Sequence, residues 1–107
     1  MVILYQYSDE GISIQIEAGF ENGDLVVEGY DIGKTVKEYW GDSDYEYAVR
    51  VRKPDLEQLC KALKIADCVE ENLLKEIARR FTGNKCFSEF REFLDSNHIE
   101  CEGFSWT

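Results

Sequence analysis

The chain is poor in the residues from which most catalytic and metal sites are built. It has one histidine, His98, one proline, Pro54, and four cysteines, Cys60, Cys68, Cys86 and Cys101, none of them spaced as C-x-x-C. A zinc site would need four ligands drawn from that scattered set. Nor does one histidine make a triad, because Ser-His-Asp and Cys-His chemistry need three groups to meet in space. His98 reads instead as a residue at a helix–strand junction, exposed or bonding a last helical carbonyl. No catalytic motif is present, and no cofactor is expected. No apolar run approaches the roughly 20 residues that span a bilayer. The start, Met1-Val2-Ile3-Leu4-Tyr5, lacks a basic segment and meets Gln6 at once, unlike a secretory signal. Reduced core thiols and a cytoplasmic, reducing compartment are therefore expected. Internal repeats, low-complexity tracts and linkers are also missing.

Positive charge is scarce, and unevenly so. The 107 residues hold 22 acids and 12 bases, a net charge of −10. Residues 1–47 carry 11 acids against Lys34 and Lys37, a net of −9, while residues 48–107 are close to balance. Such a first half repels nucleic acid and anionic lipid and attracts a basic protein. Solubility alone would also account for an acidic surface. At 44% apolar and 13% aromatic, the chain has enough material for one modest core. Its length implies a single domain, residues 1–107.

The apolar periodicity predicts the fold. Val2 to Tyr7 reads as a strand, and Ser8-Asp9-Glu10-Gly11 as a turn. Ile12, Ile14, Ile16, Ala18 and Phe20 alternate with polar or small residues, the pattern of a half-buried strand. Asn22-Gly23 suits a type I′ hairpin turn, and Leu25 to Tyr30 returns as the third strand. Asp31 to Gly41 reads as a short helical turn or a loop. Tyr45 to Arg52 is a strand with Tyr45, Tyr47, Val49 and Val51 on one face. Pro54 opens a helix whose stripe is Leu56, Leu59, Cys60 and Leu63. Val69 to Phe81 makes a second helix, and a third, capped by Asn84, carries Phe87, Phe90 and Leu94. Ile99 to Trp106 closes the chain as a strand bent at Gly103. The prediction is α+β, with an antiparallel sheet of four to five strands, an N-terminal meander plus a C-terminal strand, covered on one face by about three helices. Ser13, Gln15, Glu17, Glu28 and Glu46 belong to the uncovered face, with Arg50 and Arg52 expected beside the carboxylates to neutralise them in part.

Two acidic groupings invite chemistry. Asp42-Ser43-Asp44 with Glu46 matches the start of a calcium loop but lacks its glycine and distant glutamate, so no metal is expected. Glu17, Glu28 and Glu46 on one face could do acid–base work given a pocket and a raised pKa. An exposed acidic face explains the same residues.

With Gly41-Asp42-Ser43-Asp44-Tyr45-Glu46-Tyr47, Phe87-x-x-Phe90-x-x-Phe93-Leu94 and the ending Phe104-Ser105-Trp106, the chain resembles a group of small bacterial proteins of unassigned role. In size, acidity and layout it also resembles immunity proteins of contact-dependent growth inhibition and related toxin systems. That likeness implies a non-enzymatic protein that neutralises a basic, nuclease-type toxin domain. The expected contact surface is Glu17, Glu21, Asp24, Glu28, Asp31, Asp42, Asp44 and Glu46, with Tyr39 and Trp40 as aromatic anchors. The alternatives are a small enzyme or ligand-binding domain with its site on the sheet, and a homodimer paired through an apolar strand edge.

Overall fold

The computed structural model describes residues 1–33 and 44–106. Five strands, β1 (Val2–Ser8), β2 (Ile12–Glu21), β3 (Asp24–Gly33), β4 (Asp44–Val51) and β5 (Glu102–Trp106), form one antiparallel sheet in the order β1-β2-β3-β4-β5. Between β4 and β5 lie a 3-10 turn, Lys53–Asp55, and three helices, α1 (Leu56–Ala62), α2 (Glu70–Arg80) and α3 (Cys86–Ser96). The α+β prediction describes this architecture. The helical excursion returns the chain to β4, so the last strand lies beside the fourth.

The hairpin between β2 and β3 sets the register. Asn22 (φ 53°) and Gly23 (φ 87°) both take the positive φ of a type I′ turn. Glu21 therefore pairs with Asp24, and the ladder runs outward through Glu17 opposite Glu28 to Ile12 opposite Gly33. Ile16, Ala18, Leu25, Val27, Val49 and Val51 point to the helices, with Ile16 the most accessible of them at 2%. They meet Leu59, Leu63, Leu73, Ile77, Phe90 and Leu94 from the helical layer. Edge-on contact of Phe81 with Phe90 and Phe93, centroids 5.3 and 5.6 Å apart, closes the core between α2 and α3. Truncating Phe90, which is fully buried, would cost about 3–5 kcal/mol.

Besides the N-cap of α3, which is Lys85 rather than Asn84 and makes no side-chain cap bond, four details differ from the sequence reading. β3 continues through Asp31–Gly33, because β2 is long enough to keep pairing it; the rest of the expected helical turn or loop, residues 34–41, lies outside the described residues. The first helix begins with the 3-10 turn that contains Pro54, and the α-helix proper starts at Leu56. β5 starts at Glu102, later than the predicted Ile99. Ile99 instead packs in the core, its N–H bonded to the carbonyl of Leu94 at the end of α3. The fourth difference corrects the cysteine expectation. Cys60 and Cys68 form a disulfide across a Cα separation of 5.8 Å, while Cys86 and Cys101 are free thiols. Leu63 N–H and Ile65 N–H bond back to Leu59 and Cys60 as α1 ends. Lys64 there takes a positive φ of 62°, which turns the chain so that Cys68 returns beside Cys60. Eight residues of separation hide this proximity from motif spacing. Among the described residues, no helix is long and apolar enough to cross a membrane.

Candidate functional site: the uncovered sheet face

Alternation along five strands in known register lays out the face that the helices leave open. Ile3, Glu17, Glu28, Ala48 and Phe104 make one cross-strand row. Gln6, Gln15, Tyr30 and Glu46 make the neighbouring row on one side. Gly19, Val26, Arg50 and Glu102 make the row on the other side, with Glu21 and Asp24 beyond them next to the hairpin turn.

The hairpin end of this face is neutralised. The Arg50 guanidinium donates to Asp24 Oδ2 at 3.0 Å and to Glu21 Oε1 at 3.1 Å. Arg52 Nε donates to Glu102 Oε1 at 2.6 Å. The Lys53 backbone N–H donates to Asp24 Oδ1 at 2.8 Å, so this buried carboxylate also anchors the turn that starts the helical layer. That backbone bond, followed by the Arg50 bond, holds the Asp24 carboxyl below its ordinary pKa. Asp24 and Glu21 are thereby engaged by the protein's own arginines.

The middle of the face is different. Glu17 and Glu28 stand directly opposite each other, the arrangement that destabilises a sheet when charges are alike. Glu46 lies diagonal to Glu28, one row over on β4. Among the described residues, none of these three carboxylates makes an ion pair. The Gln15 amide donates to Glu17 Oε2 at 3.2 Å and brings no charge. Partial burial, followed by the fields of Glu17, Glu21 and Glu46, raises the Glu28 carboxyl above its ordinary pKa. Gln15, Glu17, Glu28, Tyr30 and Glu46 line a depression of about 330 Å³. Exposed apolar side chains surround it: Ile3 at 51%, Tyr30 at 37%, Ile32 at 39% and Phe104 at 45% accessibility. Arg50 and Arg52 engage the hairpin-end carboxylates, rather than the Glu17, Glu28 and Glu46 that sequence reasoning gave them as neighbours.

Asp31 belongs to the opposite face. It accepts a hydrogen bond of 2.8 Å from the Tyr47 hydroxyl on the helix side. Tyr47 reaches it by lying over Gly29, its direct cross-strand neighbour, where a Cβ would fall within the ring. Phe87 packs edge-on against the same ring, centroids 4.7 Å apart. Burial raises the carboxyl of Asp31, and burial with the Asp31 bond raises the phenol of Tyr47. Asp44 pairs with Ile32 where β4 begins. Tyr39, Trp40 and Asp42 lie outside the described residues. His98 is exposed with a positive φ of 55° just past α3, and its N–H bonds the Asp95 carbonyl.

Sequence reasoning missed the Tyr47–Asp31 bond and the glycine that permits it. Gly29 in the interior of β3 was the available signal, since an interior strand glycine marks close approach by another group. Among the described residues, no group of three or more His, Cys, Asp or Glu side chains is arranged to hold a metal. No family model, curated protein or solved structure matches the chain.

Proposed function

We propose that this protein is a binding module, and that the open face of its sheet engages a basic protein partner through Glu17, Glu28 and Glu46. The carrying observation is the direct opposition of Glu17 and Glu28, with Glu46 diagonal, on an accessible face where no cation among the described residues pairs with them. A lysine or arginine from a partner relieves that repulsion, and the exposed Ile3, Tyr30, Ile32 and Phe104 supply apolar contact around it. Partners with dense positive charge include nuclease domains, whose clefts must hold phosphate backbones. The finer reading is therefore an immunity-type inhibitor of a nuclease toxin, acting in the bacterial cytoplasm where the toxin would act.

The test is titration against the toxin domain encoded beside this gene, at rising salt. Joint replacement of Glu17, Glu28 and Glu46 by Gln should weaken binding by about tenfold or more, and wild-type affinity should fall as salt rises. Replacing Glu21, already paired with Arg50, should change binding little. Tight binding indifferent to salt and to the triple replacement would remove the proposal.

The raised Glu28 carboxyl beside Glu17 supports a second reading, acid–base catalysis on the same face. It predicts a turnover lost on Glu28→Gln for some small substrate, whereas the binding reading predicts lost affinity for a protein.

A further inference from the structure

On the opposite side of β4 and β5, where α3 runs beside the sheet, a groove of about 480 Å³ is lined by Tyr45, Tyr47, Phe87, Ser88, Arg91 and the Gly103–Ser105 segment. It differs from the acidic depression in charge, since the charged residue that lines it is Arg91. Arg91 is exposed in a chain whose net charge is −10. Among the described residues it makes no hydrogen bond and no ion pair, although Arg50, Arg52, Arg79 and Arg80 all have carboxylate partners.

Local structure fixes where this guanidinium lies. Gly103 faces the helical side of β5, opposite Val49. A Cβ there would stand 3.0 Å from one Arg91 terminal nitrogen and 3.3 Å from the guanidinium carbon. The missing side chain lets the guanidinium lie over the strand. Ser88 precedes Arg91 by three residues in α3 and shares its helix face. Ser105 lies two residues beyond Gly103 and shares its strand face. One cation and two hydroxyls therefore border the same space. The adjoining wall is aromatic: the Tyr45 and Tyr47 rings lie 5.6 Å apart, and Tyr47 and Phe87 4.7 Å apart.

We propose that this groove is a second binding site, which takes a monoanionic aromatic carboxylate with the carboxylate on Arg91 and the ring against Tyr45, Tyr47 and Phe87. A planar guanidinium presents paired N–H donors that match a carboxylate, and Ser88 and Ser105 supply further donors. The strongly acidic chain disfavours a multiply charged anion at a site with one cation. Aromatic walls reward a flat apolar body, which acetate lacks.

The experiment is an NMR titration of the full chain, following the Arg91 Nε–H signal and the amides of Gly103 and Ser105. The probes are benzoate, its neutral counterpart benzamide, and acetate as the carboxylate without a ring. Benzoate should give saturable shifts at these three positions. Benzamide and acetate should each bind about tenfold or more weakly. Arg91→Gln should weaken benzoate by a similar factor, and Arg91→Lys, which keeps the charge but loses the paired donors, should fall between. Unchanged shifts elsewhere in the spectrum report that each variant keeps its fold. The proposal is overturned if benzoate produces no saturable shift, if benzamide or acetate matches it, or if Arg91→Gln binds as wild type does.

Discussion

Two ends of one sheet face treat negative charge in opposite ways. Near the hairpin turn, Glu21, Asp24 and Glu102 meet Arg50 and Arg52, and Asp24 also accepts the Lys53 N–H. One strand-row away, Glu17 and Glu28 face each other with Glu46 nearby and no cation within ion-pair distance among the described residues. Strand type, solvent and face are the same in both places. The hairpin-end charges hold strand to strand and sheet to helical layer. The central charges oppose each other across the β2–β3 pair, an arrangement that disfavours the sheet. Composition cannot separate these roles, since both ends contribute equally to a count of acids.

The largest effect expected from breaking this contrast is at its neutralised end. Asp24→Asn should lower Tm at pH 7 more than neutralising any other carboxylate on the sheet. Its folded pKa is depressed, so its contribution is present above the ordinary aspartate value and lost as pH falls through the folded one. Thermal melts of the variant and wild type should therefore converge in acid. Next comes Asp31, satisfied by a neutral donor on the other face. Tyr47→Phe keeps the ring over Gly29 and against Phe87 but removes that donor, and should cost about 1 kcal/mol in denaturant unfolding. At the centre the sign reverses. Glu28→Gln should stabilise the fold by about 0.5 kcal/mol at pH 7. The folded pKa of Glu28 is raised, so stability is fullest below the ordinary glutamate value and declines as pH rises through the folded one. The variant's advantage should vanish in acid. Glu17→Lys would give the centre the hairpin end's solution, an opposite-charge pair across β2 and β3. It should also stabilise slightly, by a few tenths of a kcal/mol, while weakening a basic partner.

Much of this geometry is legible in the amino-acid sequence. Alternation in Ile12–Phe20 and Tyr45–Arg52 assigned the faces, and Asn22-Gly23 fixed the β2–β3 register. A two-residue turn pairs Glu21 with Asp24, and four residues further back it pairs Glu17 with Glu28. The hairpin alone therefore contained the like-charge opposition. The arginine assignments were not legible, because they depend on how β4 registers against β3, and residues 34–43 separate those strands. Nor was the Cys60–Cys68 bond, which depends on how the chain turns at Lys64 rather than on spacing. The Arg91 groove was hidden for a related reason. It forms where α3 and β5 meet β4, a strand distant from both in sequence, and Gly103 read as a bend when its role is to make room for a guanidinium.

The central claim is that no cation among the described residues compensates the charge on Glu17, Glu28 and Glu46, and the most direct measurement is the pH titration of the Glu28 side-chain carboxyl carbon by NMR. The account predicts a midpoint above the ordinary glutamate range that moves down when Glu17 is replaced by Gln. A midpoint at or below that range, or one unmoved by the replacement, would contradict it.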